Sequence, residues 1–223
     1  MHDRLMVALD VNHRNEALAL RDTLADSVGW FKVGLRLFVA EGPELVRNIR
    51  NTHKVFLDLK FHDIPNTVAQ AVESAGNLGV EMLNVHAGGG EEMLAAAAKS
   101  ASDFPDMKLI AVTVLTSDAM PTDQAAQVAL QRAILAQHAG LHGVVCSVHE
   151  AAAIKQVCGD DFITVTPGIR WGSQAVQDQK RVADPKSAIL QGSDYLVVGR
   201  PILQAEDPCS AARQAIAMMQ SAV

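Results

Sequence analysis

The sequence is poor in cysteine, carries no excess of positive charge and has no long apolar run. Its three cysteines, Cys146, Cys158 and Cys209, are odd in number and lack CxxC spacing, which argues against a disulfide framework and a zinc cluster. They read as reduced, small apolar side chains. A formal net charge of −6 excludes nonspecific binding to nucleic acid or an anionic membrane, because both need a basic surface that releases counterions. Any contact with a polyanion must be local. No apolar stretch approaches the roughly 18 residues of a membrane span. The amino-terminal MHDRLMVALD has charges within its first four residues and no small-residue cleavage site, so it reads as a first strand rather than a signal peptide. The expectation is a soluble cytoplasmic protein with no nucleic-acid or membrane partner.

What is present is a repeating alternation. With 223 residues and 49% hydrophobic content, the chain is long enough for one large α/β domain. Short runs rich in Val, Ile and Leu recur every 20 to 30 residues or so, each followed by a stretch with helical spacing. The predicted strands are LMVALD, WFKVGL, VFLDLK, MLNVHA, LIAVTVL, GVVCS, ITVTP and YLVVG. Seven helical segments lie between and after them, from EALALRDTLA to the final CSAARQAIAMMQ. Nearly continuous apolar strands without a break in composition point to a parallel sheet covered by helices. A closed (β/α)8 barrel over residues 1–223 satisfies this as a single domain. The competing architecture is an open doubly wound sheet. Its GxGxxG fingerprint is missing, since VNHRNEAL follows the first strand. The GGG at 88 to 90 lacks the Lys and Ser/Thr of a phosphate loop and reads as a turn into a helix.

Barrel chemistry is built at the carboxyl ends of the strands. Asp10 ends the first run, Lys32 lies in the second, Asp58 and Lys60 end the third, His86 ends the fourth and Arg200 follows the eighth. Alternation puts Asp58 and Lys60 on the same inward face as Phe56, with Leu57 and Leu59 toward the helices. A self-satisfied buried ion pair explains one Asp and one Lys. It does not explain ionisable groups on several strands at one end, a pattern that marks functional clefts. Asp63 follows five residues after Asp58, and Thr67 opens the next helix, with Pro65 suited to its first turn.

DLKFHDIPNT closely resembles the orotidine 5′-phosphate decarboxylase family, as do VALDVN, FKVGLRLF, NVHAGGG, AVTVLTS, TPGIR and YLVVGRPI in that order along the chain. The resemblance implies a Lys32, Asp58, Lys60, Asp63 charge array around the reacting carbon, with Asp63 supplied by the neighbouring subunit of a homodimer. It places Asp10 at the ribose, Thr67 reaching across from the partner, and Ile64 of IPNT within the substrate-binding set. Thr116 resembles the residue beside the pyrimidine ring. Arg170, Gln179, Gly199 and Arg200 resemble the phosphate grip. Substrate and product are then orotidine 5′-phosphate (OMP) and UMP, with no metal and no organic cofactor.

The chemistry fits these residues. Phosphate sites in such barrels commonly use the loops after strands seven and eight, where TPGIR and VGRP lie. Loss of CO2 from a pyrimidine carboxylate leaves an in-plane carbanion with no π system to delocalise it. An ammonium beside that carbon stabilises the charge and then donates a proton, which assigns Lys60 as general acid. The polar segment GIRWGSQAVQDQKRV exceeds an ordinary βα connection; it reads either as a surface loop or as a lid carrying Gln179 to the phosphate. Trp171 has no assigned role. One His without carboxylate partners is weak evidence for a metal, so His86 reads as structural. Two alternatives remain at this point: a magnesium-dependent sugar-phosphate lyase or decarboxylase sharing the DxKxxD strand, and a noncatalytic nucleotide-binding barrel.

Overall fold

In the computed structural model, residues 1–115, 120–172 and 183–222 are described. Strands β1 (Leu5–Ala8), β2 (Trp30–Gly34), β3 (Lys54–Phe61), β4 (Met82–His86), β5 (Lys108–Val112), β6 (Gly143–Val145), β7 (Ile163–Thr166) and β8 (Tyr195–Val198) pair in chain order, all parallel, and β8 closes on β1. This is the closed (β/α)8 barrel, and the open sheet is excluded.

The helices are α1 (Arg14–Leu24), α2 (Leu35–Glu41), α3 (Pro43–Arg50), α4 (Pro65–Gly76), α5 (Gly90–Ala101), α6 (Thr122–His138), α7 (Val148–Cys158), α8 (Pro185–Leu190), α9 (Arg200–Leu203) and α10 (Pro208–Gln220). Five of them, α3, α4, α8, α9 and α10, carry a proline within their first two positions, where the missing N–H would have no intrahelical partner in any case. Asp184 and Asp207 cap two of these by accepting from the backbone N–H of Ser187 and Ser210, both at 2.9 Å.

Strand pleating sorts the apolar side chains into two layers. Met6, Ala8, Trp30, Phe56, Met82, Ile110, Val165 and Val197 fill the barrel, while Val7, Phe31, Val33, Leu57, Leu83, Val85 and Leu109 pack outward under the helices. The interior is therefore a solid apolar plug up to Phe56, and the polar residues rest on its top.

Several boundaries differ from the sequence expectation. β1 stops at Ala8, so Asp10 stands two residues beyond the strand, its N–H donating back to the Ala8 carbonyl at 2.9 Å. β5 stops at Val112 and β6 at Val145; after β6 the chain turns directly into α7, and Ser147, read as the end of a strand, instead forms a capping box with Glu150. α4 starts at Pro65, two residues ahead of Thr67. The short helices α2, α8 and α9 were not anticipated, being too brief to display a helical period.

Candidate active site

The site begins with an irregularity in β3. Leu57 pairs with Leu83, but the next paired residue on β3 is Phe61, opposite Val85. Four residues of β3 thus advance beside two of β4. Within this bulge Lys60 has φ +53°, the one non-glycine residue with positive φ among the described residues. That conformation costs about 1–2 kcal/mol for a side chain of this kind, and such costs concentrate at functional positions. Simple alternation, the sequence expectation for Asp58 and Lys60, is therefore corrected: pleating turns Asp58 inward, and a strained bulge brings Lys60 beside it.

Four charges form one row. The Lys60 ammonium donates to Asp58 Oδ1 at 2.5 Å, Asp58 Oδ2 lies 3.3 Å from Lys32 Nζ, and Lys32 Nζ lies 3.2 Å from Asp10 Oδ1. The middle of the row is buried, with side-chain exposures of 10% for Lys32 and 13% for Asp58; the ends are open, at 38% for Lys60 and 58% for Asp10. Gly34 makes room for this, since a Cβ there would stand 3.0 Å from the Lys32 ammonium. Burial by itself opposes charge on both middle groups. For Lys32 the neighbouring Asp58 and Asp10 carboxylates outweigh burial, and its pKa moves up. For Asp58, Lys32 and Lys60 together with hydrogen bonds from Lys60 and Asn84 outweigh burial, and its pKa moves down. Both stay charged, and the alternating row sums to zero, which limits the desolvation cost.

The row forms one wall of a cavity of about 570 Å3. Ala8, Phe56, Val145 and Val197 are its apolar lining, and Arg170 after β7 and Gly199 with Arg200 after β8 also line it, Gly199 close enough to Asp10 that a Cβ there would stand 3.4 Å from Asp10 Oδ2. The cavity therefore offers ammonium and carboxylate groups, an arginine pair and apolar surface within one space. That combination suits an anionic ring held at one end by a second anionic group. The Arg170 N–H donates to the Ala183 carbonyl at 2.9 Å, and Ile169 bridges to Ala183, so the residues flanking the 173–182 segment are tied to each other.

Asp10, Lys32, Asp58, Lys60, Arg170, Gly199 and Arg200 are thus gathered around one cavity. Asp63, Ile64 and Thr67 are not part of it. The Asp63 carboxylate accepts from the Ile64 N–H at 2.7 Å, both residues line a separate recess with His62, Pro65, Gly88 and Gly89, and Thr67 is exposed. Within the chain the fourth charge of the row is Asp10. Thr116 and Gln179 lie outside the described residues.

Three lining or supporting residues were missed in the sequence. Arg36 donates to the Asp10 carbonyl at 2.7 Å, Gln204 reaches the cavity from the end of α9, and Asn84 is fully buried beside Asp58. Only Asn84 left a signal, a polar residue on the inward face of a buried strand. His86 accepts from the Gly88 N–H at 3.0 Å and stacks on His62 at 5.1 Å. Trp171 donates from Nε1 to Gln214 Oε1 of α10 at 3.0 Å and packs against the core.

The profile of the "Orotidine 5'-phosphate decarboxylase / HUMPS family" matches residues 3–215. Orotidine 5'-phosphate decarboxylase of Legionella pneumophila (strain Corby) is 50% identical over 218 residues, covering 93% of this chain and 95% of that protein. The protein of the same name from Carboxydothermus hydrogenoformans is 47% identical over 235 residues, covering 99% and 97%. Among solved structures, orotidine 5'-phosphate decarboxylase from Lactobacillus acidophilus superposes with a TM-score of 0.84 at 35% identity, covering 97% of this chain and 99% of that one. With its barrel, charge row and arginine pair at the positions where the sequence motifs fall, the chain belongs to the orotidine 5'-phosphate decarboxylase / HUMPS family.

Proposed function

We propose that this chain converts OMP to UMP and CO2 in de novo pyrimidine synthesis, in the cytoplasm, as a homodimer of one-domain subunits and without metal or organic cofactor. The observation that carries the reading is the row itself: a lysine ammonium held against a buried carboxylate in a cavity that two arginines also line. The C6–carboxylate bond breaks, its electron pair stays on C6, and Lys60 stabilises that pair and then delivers a proton to it. Asp58, itself held by Lys32, aims the Lys60 ammonium. Asp63 of the partner subunit completes the array around the reacting carbon, and Asp10 holds the ribose with the partner subunit's Thr67.

Arg170, Gly199 and Arg200 take the phosphate with Gln179, Thr116 stands beside the pyrimidine, and Ile64 belongs to the substrate-binding set. One observation favours a metal-free reaction: the Asp10 and Asp58 carboxylates both face lysine ammoniums.

The test is loss of the orotate absorbance when OMP is added in the presence of EDTA. Turnover supports the reading, and a strict magnesium requirement would favour the sugar-phosphate alternative. Lys60→Ala should lower kcat by at least about 10⁴-fold, combining roughly 10² from proton donation with roughly 10² or more from electrostatic stabilisation, while UMP still binds. Near-normal turnover removes Lys60 as the proton donor, and no turnover by the parent chain leaves a noncatalytic nucleotide-binding barrel.

A further inference from the structure

Lys60 adopts its left-handed conformation inside a strand, and an isolated strand supplies nothing to hold it there. One side chain does. Asn84, on the inward face of β4 and wholly without solvent exposure, accepts from the Lys60 backbone N–H through Oδ1 at 2.8 Å and donates from Nδ2 to Asp58 Oδ1 at 2.7 Å. Its amide has one orientation that satisfies both partners, because the backbone N–H only donates and the ionised carboxylate only accepts. It occupies the place in the ladder where β4 has too few residues to pair the bulge of β3, since Leu83 and Val85 on either side of it pair with Leu57 and Phe61.

We propose that Asn84 is the positioning residue of the site: it fixes the β3 bulge through the Lys60 backbone and orients the Asp58 carboxylate, thereby setting where the Lys60 ammonium stands. This deepens the decarboxylase reading and rests on Lys60 as proton donor. Asn84 acts through Lys60 and Asp58 and belongs to neither the arginine pair nor the apolar lining. Its loss should therefore appear in kcat rather than in substrate binding. Leucine at this position keeps the approximate volume but provides neither hydrogen bond. Misplacement of a reacting group by about an ångström costs on the order of 10²-fold in rate, and loss of a supporting hydrogen bond costs 10- to 100-fold in comparable sites.

Asn84→Asp gives a signature that a filler role would not. In its protonated form aspartic acid reproduces the asparagine, with its O–H donating to Asp58 and its second oxygen accepting from the Lys60 N–H. In its ionised form it sets two carboxylates against each other and removes the donor. The charged groups around it are Asp58 and Lys60 from β3 and Lys32 from β2, with Asp10 beyond Lys32; the β5 residue opposite is Ile110. A shared proton between adjacent carboxylates is held more tightly than by either alone.

The experiment measures kcat and KM for the parent, Asn84→Leu and Asn84→Asp between about pH 5.5 and 8, with circular dichroism to confirm folding. Asn84→Leu should lose about 100-fold in kcat with KM and UMP affinity within about threefold of the parent. The ratio of Asn84→Asp to parent kcat should rise as pH falls, by up to tenfold per unit until the proton is bound. A folded Asn84→Leu enzyme with kcat within threefold of the parent, or a flat Asn84→Asp ratio, overturns the proposal; if Asn84→Leu does not fold, the Asn84→Asp ratio decides alone. Should the parent not turn over OMP, the decarboxylase reading fails and a second readout still tests Asn84. The Lys60 amide proton should shift upfield in Asn84→Leu and follow the carboxyl titration in Asn84→Asp, and an unmoved resonance in both would defeat the positioning role.

Discussion

Lys32 and Asp58 show how a buried pair keeps its charges. Each would prefer neutrality on burial alone, yet each is pushed the other way by the opposite charges beside it. Folded Asp58 titrates below its ordinary 3.8, so its ionised form contributes stability that is present above that value and is lost as pH falls through the lower folded value. Folded Lys32 titrates above its ordinary 10.5, so its contribution is present below 10.5 and is lost as pH rises through the folded value. Across the neutral range both contributions are in place. Lys32→Ala leaves Asp58 buried with the half-open Lys60 as its one remaining cation, beside the Asn84 hydrogen bond, and should cost about 3 kcal/mol of stability near pH 7, the order found when one member of a buried pair is removed. Without Lys32 the Asp58 carboxyl binds a proton at higher pH, which relieves the penalty. Urea unfolding at about pH 7 and about pH 4.5 should therefore show the difference between parent and variant shrinking on acidification; a gap that widens would mean that Asp58 does not depend on Lys32 for its charge.

Among the elements, β6 and β7 leave no room for a side chain at Gly143. A Cβ on Gly143 would stand 2.2 Å from the Ile163 carbonyl oxygen and 2.6 Å from the Ile163 Cβ, so Gly143→Ala forces two barrel strands apart. The expected cost is about 3 kcal/mol, at the upper end for overpacking, and a melting temperature lower by roughly 6–12 °C for a chain of this size; an unchanged melting curve would mean that the strands separate freely. Because the barrel itself must yield, the effect differs from that of a surface substitution. This contact has no trace in the sequence, where Gly143 is only the first letter of GVVCS. The eight apolar runs, by contrast, were legible, because a parallel barrel buries both faces of each strand. The charge row was legible in part: the residues of VFLDLKF named themselves, but period-two reasoning cannot see a bulge, and the positive φ of Lys60 depends on an asparagine 24 residues away in sequence. Short helices such as α2 and α9 were illegible because one or two turns give no period to read.

At the scale of the whole molecule, the role proposed for Asp63 requires a second subunit. Its carboxylate is engaged only locally with the Ile64 N–H, away from the row that its sequence motif places it with. Beside it Ile64 is 66% exposed, and on the neighbouring α2 Leu35 and Val39 are 58% and 76% exposed. Leu35 follows the carboxyl end of β2 and Ile64 that of β3, and exposed apolar side chains at that end of the barrel are a candidate contact surface for the proposed second subunit. In the proposed twofold dimer the same patch would meet itself, so that each subunit would give Asp63 to its partner's row and receive one in return. The arrangement has a quantitative consequence. Lys60→Ala and Asp63→Ala homodimers each lack one required group in both sites and should be poorly active. A hybrid of the two has one site with both groups missing and one site with Lys60 from one subunit and Asp63 from the other. Equal mixing with free exchange makes about half of all dimers hybrid, so about one quarter of parental sites should return, by the statistics of twofold assembly. If exchange is verified by differential tagging and activity stays at the level of the separate variants, Asp63 acts within its own chain and the shared-site arrangement is wrong.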